Sequence, residues 1–340
     1  MKPRTSNALV ALAFSAFTPL GCATEEPDDA SEYRQALPEA TSVRLEGPGQ
    51  SQRGSGTAAS GSAGELLADG AAPAAALAKW YGFTRNVRDG INVVTAGVLG
   101  SVWFVAHTRP TKVGQDFAEW GPHTEALDPV TWRLRIERVQ EHQYRYALEG
   151  RPRASRSEAD YLTVVSGTGH GRTDARHGDG EFTIDLDAAR ALDPARHADD
   201  FGTVTIAHDL PASGARLAAL PALPREITAN LDHPGDAWLT VVSNAHEDGT
   251  GRLDVTGSVD VDESKATALE EVEVLSRWRA DGAGRADGVI AEGDVPKTIG
   301  LISVAECWAS DFSRVYYSDS VNAEPTAGDP SACVYEASDD

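Results

Sequence analysis

Leu253-Asp-Val-Thr-Gly-Ser-Val-Asp-Val261 is the stretch that decides the fold class of this chain. Leu253, Val255, Gly257, Val259 and Val261 alternate with Asp254, Thr256, Ser258 and Asp260. Successive side chains of an extended strand point to opposite faces, so the segment has one packed face and one wet face. That habit belongs to antiparallel sheets, because parallel strands are covered on both sides. The same period of two recurs on either side. Trp132, Leu134 and Ile136 alternate with Arg133, Arg135 and Glu137. Tyr144, Tyr146 and Leu148 repeat it, as do Phe182, Ile184 and Leu186. Further strands are expected over 42–45, 160–168, 202–208, 225–231, 237–244, 269–279, 284–292, 299–308 and 312–318. Asp179-Gly180, Asp248-Gly249 and Asp281-Gly282 supply turns between them. Ala191 to Asp200 and Ala212 to Leu223 lack the alternation and read as short helices or loops.

Upstream of Pro129 the period changes to 3.6. Val87, Ile91, Val94, Val98, Val102 and Val105 fall on one helical stripe, with Thr84 to cap its start and Pro110 beyond its end. Val93, Leu99, Trp103 and Phe104 widen the apolar surface. Gly90, Gly97 and Gly100 each cost about 1 kcal/mol of helix propensity against Ala, and would let another backbone come close. Ile91 to Ala106 carries no charge and is flanked by Arg88 and Arg109. It reads as a helix buried against a sheet, or as one that touches a membrane; it is shorter than the roughly 20 residues a span needs. The expected architecture is therefore mainly β. One large curved antiparallel sheet, a half-barrel or barrel, packs against one long apolar helix near 84–107, since a sheet of so many strands must curl or close. Val94, Val98, Val102 and Trp103 would line any apolar cavity between them. One internal echo, Tyr161-Leu-Thr-Val-Val-Ser-Gly against Trp238-Leu-Thr-Val-Val-Ser-Asn, fits two related halves of a sheet or chance.

The N-terminus carries a different kind of information. Lys2 and Arg4 precede an apolar run of 14 residues, Ala8 to Gly21, which ends at Cys22. This is the layout of a secretory leader. Pro19-Leu20-Gly21-Cys22 resembles the lipobox of bacterial lipoproteins, although that family prefers Leu where Pro19 stands. The resemblance implies cleavage before Cys22, acylation of its thiol and amine, and attachment to a membrane. Ala23 in second position resembles the default signal for the outer membrane. A rival cut after Ala23 would discard Cys22 and release a soluble secreted or periplasmic protein. Residues 1–21 are thus expected to be leader. Residues 22–64, acidic and then Gly/Ser-rich, read as a flexible tether. Residues 65–340 read as one β-rich domain.

Losing Lys2 and Arg4 with the leader takes the formal charge from −22 to −24. A field of that sign repels nucleic acid and anionic lipid headgroups, and no basic stripe with interleaved aromatics is present, so nucleic-acid binding is not expected. With Cys22 acylated, Cys307 and Cys333 remain, and an even pair in an oxidising compartment is expected to form a disulfide.

Sites of chemistry are sparse. His170, Asp174 and His177 have helical metal-ligand spacing, but Gly-His-Gly-Arg-Thr-Asp-Ala-Arg-His-Gly-Asp-Gly reads as a hairpin loop, leaving them weak metal candidates. Asp185, Asp187, Asp193, Asp199 and Asp200 do not match a calcium-loop register. Glu270, Glu271 and Glu273 read as the wet face of a strand. There is no Gly-x-Ser-x-Gly elbow and no His-Glu-x-x-His, and no cofactor is called for. In the C-terminal Glu306-Cys-Trp-Ala-Ser-Asp-Phe-Ser-Arg-Val-Tyr-Tyr317, the aromatics read as completing a core, or as a sugar-binding platform.

Lipobox, acidic tether, β-rich body and Cys-Trp tail together resemble lipoproteins of the myxobacterial type. At the level of architecture the chain is similar to half-barrel carriers of lipoprotein or lipid. The resemblance implies an exported, non-enzymatic envelope lipoprotein that binds an apolar ligand or a partner protein. An exported hydrolase using clustered carboxylates or the His170/His177 loop, and an adhesive surface module, are the alternatives.

Overall fold

A computed structural model describes residues 30–49, 76–170, 178–210, 225–261, 268–322 and 327–337. It is mainly β: fifteen strands lie in one antiparallel sheet in sequence order, with one long apolar helix. The first and last strands are the two ends of that order, so the sheet is not closed into a barrel. The chain divides into two compact units, Met1–Arg44 with Asn92–Ser213, and Leu45–Ile91 with Gly214–Asp340. The division falls inside the long helix.

The first unit holds β1 (Lys112–Val113), β2 (Phe117–His123), β3 (Val130–Gln140), β4 (Gln143–Pro152), β5 (Leu162–His170), β6 (Gly178–Asp185) and β7 (Thr203–Leu210). Its helices are α1 (Ser31–Arg34), the second half of α2 (Lys79–Ala106), and α3 (Leu186–Leu192). Leu134 and Ile136 of β3, Tyr146 and Leu148 of β4, Phe182 and Ile184 of β6, and Ile206 of β7 form its buried face. Alternation identified most of these strands. β2 escaped because Gly121-Pro122 breaks its pattern with a register shift against β3. Leu186, read as a strand residue, begins α3 because the Asp185 carboxylate accepts the Ala188 N–H at 2.7 Å and starts a helix.

The second unit holds β8 (Arg225–His233), β9 (Ala237–Ala245), β10 (Gly251–Val259), β11 (Glu270–Trp278), β12 (Gly284–Glu292), β13 (Leu301–Trp308), β14 (Arg314–Asp319) and β15 (Ala327–Gly328). The deciding stretch is β10, with Leu253 and Val255 fully buried between β9 and β11. The two echoed segments fall on β5 and β9, each followed in the sheet by an antiparallel neighbour.

Helix α2 starts five residues before the expected 84 and its inward stripe is turned from the one the apolar residues suggested. Tyr81, Thr84, Arg88, Ile91, Thr95, Val98, Val102 and Ala106 are buried, while Val87, Val94 and Val105 are only half-buried. Three polar residues on the inward stripe displaced the reading. Arg88 is held by Asp89 at 2.6 Å and runs so close to Gly47 that a Cβ there would lie 2.4 Å from Nη1. Gly82 and Gly100, by contrast, face open space, so Gly100 does not serve a close backbone approach.

Composition also misjudged the tether. Residues 30–49 are packed: Tyr33, Val43 and Leu45 are buried, and Tyr33 donates to the Gln115 carbonyl at 3.2 Å. No strand forms at 42–45. Arg34 donates to the Ala106 and Thr108 carbonyls, a cation placed on the negative end of α2. Cys22 and the linker over 50–64 lie outside the described residues.

Candidate functional site

A recess of about 360 Å³ opens on β11–β14, on the face opposite Val272, Val274 and Ser276. Registration builds it. Leu275 lies beside Asp287, Asp287 beside Ala305, and Ala305 beside Ser318. Glu273, Val289 and Ser303 form the neighbouring row. Alternation sends all of these to one side, and Glu306 and Tyr317 to the other.

The next row sets Arg277 directly opposite Arg285. Two like charges across a ladder repel. Asp287 resolves this by accepting from Arg285 at 2.6 Å and from Arg277 at 3.0 Å. The charges at this end of the recess are therefore spent on each other. Ser320 Oγ accepts the Ser303 N–H at 3.0 Å, and Tyr316 donates to Ser318 at 2.9 Å. The carboxylate of Asp319 accepts from the Val321 and Asn322 N–H groups at 2.9 and 2.8 Å. What remains is a lining of mixed character, the hydroxyls of Ser303, Ser318 and Ser320 and the Glu273 carboxylate beside Leu275, Val289 and Ala305. Its lining contains no histidine and no free thiol.

The C-terminal segment borders the recess. Cys307 of β13 is bonded to Cys333, as expected from cysteine parity, with sulfurs 2.04 Å apart. Arg277 donates to the Glu336 carbonyl at 2.7 Å and stacks over Tyr335, and Ala337 lines the recess. Burial pushes the Tyr335 hydroxyl above its ordinary range. Trp308, Tyr316 and Tyr317 are buried, and Phe312 stacks on Tyr81 at 4.3 Å, so the tail aromatics complete a core rather than a platform.

The opposite face of β13 carries a feature the sequence reading missed. Glu306 is 0% exposed and takes a hydrogen bond from Arg314, itself 2% exposed, at 2.5 Å. Its other oxygen accepts the Trp80 N–H at 2.6 Å, so a buried carboxylate caps the start of α2. Burial raises the Glu306 carboxyl above the usual range, while Arg314 and the backbone N–H groups of Trp80 and Lys79 hold it back. The signal was present, because Ile302, Val304, Glu306 and Trp308 share one alternating face.

The other candidates scatter. His170 sits at an exposed strand end, 2.7 Å from Asp179 and 3.0 Å from Gln143, while Asp174 and His177 lie outside the described residues. Among the described residues no group of three His, Cys, Asp or Glu could hold a metal. Asp185 caps α3, Asp187 pairs with Arg190, Asp193 caps the next turn, and Asp200 binds His197 Nδ1 at 2.7 Å in the first unit's interior. Glu271 and Glu273 are exposed as expected, but Glu270 is buried and accepts the Val261 and Asp294 N–H groups. Val98 and Val102 are buried and Val94 half-buried, whereas Trp103 is 48% exposed on the opposite side of α2 and cannot line a cavity with them. No family model, no curated protein and no solved structure matches this chain.

Proposed function

We propose that this chain is an exported cell-envelope lipoprotein, anchored through Cys22, whose folded part binds a partner rather than catalyses a reaction. The Cys307–Cys333 bond carries the reading. It favours an oxidising compartment and leaves Cys22 as the one cysteine not in that bond, at the end of an apolar run. The recess on β11–β14 supports a binding role: Arg277 and Arg285 are paired with Asp287, hydrogen bonds join Ser303 to Ser320 and Tyr316 to Ser318, and a disulfide fixes the tail beside it. Its lining sets the hydroxyls of Ser303, Ser318 and Ser320 beside Leu275, Val289 and Ala305, a mixed surface that suits a segment of an envelope protein. Outer-membrane placement rests on Ala23 alone.

Expression in a bacterial host with an alkyne palmitate probe tests the anchor. Label on the wild-type chain, its loss in Cys22→Ser, and precursor accumulation under globomycin are the expected results. An unlabelled mature protein beginning at Thr24 would overturn the reading.

A further inference from the structure

One face of the second half of α2 is exposed along its length. Val93, Ala96, Gly100, Trp103 and His107 recur at helical spacing and are all exposed, Val93 and Trp103 each at 48%. They lie opposite the buried Thr95, Val98, Val102 and Ala106. The most apolar 18-residue window of this helix is only 39% buried. At about 1.5 Å per residue the bare stripe is roughly 21 Å long. Trp103 stacks on His107 at 3.8 Å, presenting a flat aromatic surface at its end.

Charge sets this region apart. The chain has 52 acidic residues, yet none stands between Asp89 and Asp116, where Arg109 and Lys112 are the only charges. The bare face thus sits in the stretch least repelled by anionic headgroups, with Arg109 exposed at its end.

The position of the N-terminus says what covers it. Ala30, the first described residue, is buried, and it stands eight positions after Cys22. Eight steps of extended chain reach at most about 28 Å. The segment that begins at Ala30 is fastened to this end of α2, where Arg34 binds the Ala106 and Thr108 carbonyls. An acyl anchor at Cys22 therefore holds the C-terminal half of α2 beside the bilayer.

We infer that the Val93–His107 face of α2 lies on the surface of the membrane to which Cys22 is anchored, with Trp103 at headgroup depth. The inference rests on the anchor proposed above. The helix lies flat rather than crossing, because its other stripe is buried in the first unit. An amphipathic helix of this kind sinks its apolar face about 5–10 Å into the interface, and Trp favours that depth.

The acylated full chain, reconstituted in phosphatidylethanolamine–phosphatidylglycerol vesicles containing dibrominated phosphatidylcholine, tests this by tryptophan quenching. Wild type should be quenched relative to unbrominated vesicles. Trp103→Phe should lose most of the quenching, Ala96→Asp should reduce it, and Gly100→Leu should increase it. All three positions are solvent-exposed, so circular dichroism should show an unchanged fold. Equal quenching in wild type and Trp103→Phe, with both chains floating with the vesicles, would overturn the inference. Failure to float would instead count against the anchor. The chain from Ala23, held to nickel-chelating lipid by an N-terminal histidine tag, then decides the face by the same comparison.

Discussion

The two halves of α2 are held by different physics. Its first half, in the second unit, is fastened by polar ties: the buried Glu306 carboxylate on the Trp80 N–H, and Thr84 bonded to Ser276 at 2.6 Å. Its second half, in the first unit, turns Val98, Leu99 and Val102 inward and leaves an inward Thr95 hydroxyl that is buried with no hydrogen-bond partner among the described residues. Only the second half keeps a bare apolar face. A buried polar tie fixes direction and register at a desolvation cost, whereas apolar contact is indifferent to both. The first half is held by buried polar groups, and the second by apolar burial with Arg34 on its C-terminal carbonyls, so that its outer face is left to serve a second surface.

The largest expected effect follows from Glu306. Glu306→Ala leaves Arg314 charged and unpaired in the core and uncaps α2, which should cost about 3–5 kcal/mol by urea denaturation. Glu306→Met with Arg314→Met removes both charges and should recover most of that loss. The same carboxyl gives a pH test. Its folded-state pKa is raised, so its contribution is fully present below the ordinary carboxylate range and is lost as pH rises through the raised value. The stability of wild type should fall across that window on this account, and Glu306→Gln should flatten the slope.

Thr84 and Thr95 sharpen the contrast with one residue type. Thr84→Val breaks the bond to Ser276 and strands its hydroxyl, at an expected cost of about 1–2 kcal/mol. Thr95→Val replaces an unpartnered buried hydroxyl by a methyl and should be neutral or stabilising by up to about 1 kcal/mol. An effect of similar size lies on the bare face. Gly100→Ala meets nothing within 4 Å and should raise the melting temperature through helix propensity, by about 1 kcal/mol in stability.

The sheet was legible because alternation is a local property. Leu253 to Val261, Trp132 to Glu137 and Phe182 to Ile184 carry their facing in their own composition. The echoed segments show where that rule stops. In β9 Val241 and Ser243 are buried and Val242 is not, yet in β5 Val164 and Val165 are both buried, because a bulge opposite Leu148 and Glu149 adds a residue. Polar ties were illegible for another reason. Thr84, Arg88 and Thr95 look like the wet side of a helix until their partners, far away in sequence, are known. The recess depends on Arg277 meeting Arg285 and on the tail returning to β13, which only register and the Cys307–Cys333 bond supply. The apparent tether misled because three residues, Tyr33, Val43 and Leu45, outweigh an acidic and glycine-rich composition.

Hydrogen exchange on the acylated chain compares the halves most directly. Peptides covering 79–91 and 92–107 are followed with and without phosphatidylethanolamine–phosphatidylglycerol vesicles. The account predicts added protection in 92–107 alone. Equal change in both peptides, or none in 92–107 while the protein stays bound to vesicles, would contradict it.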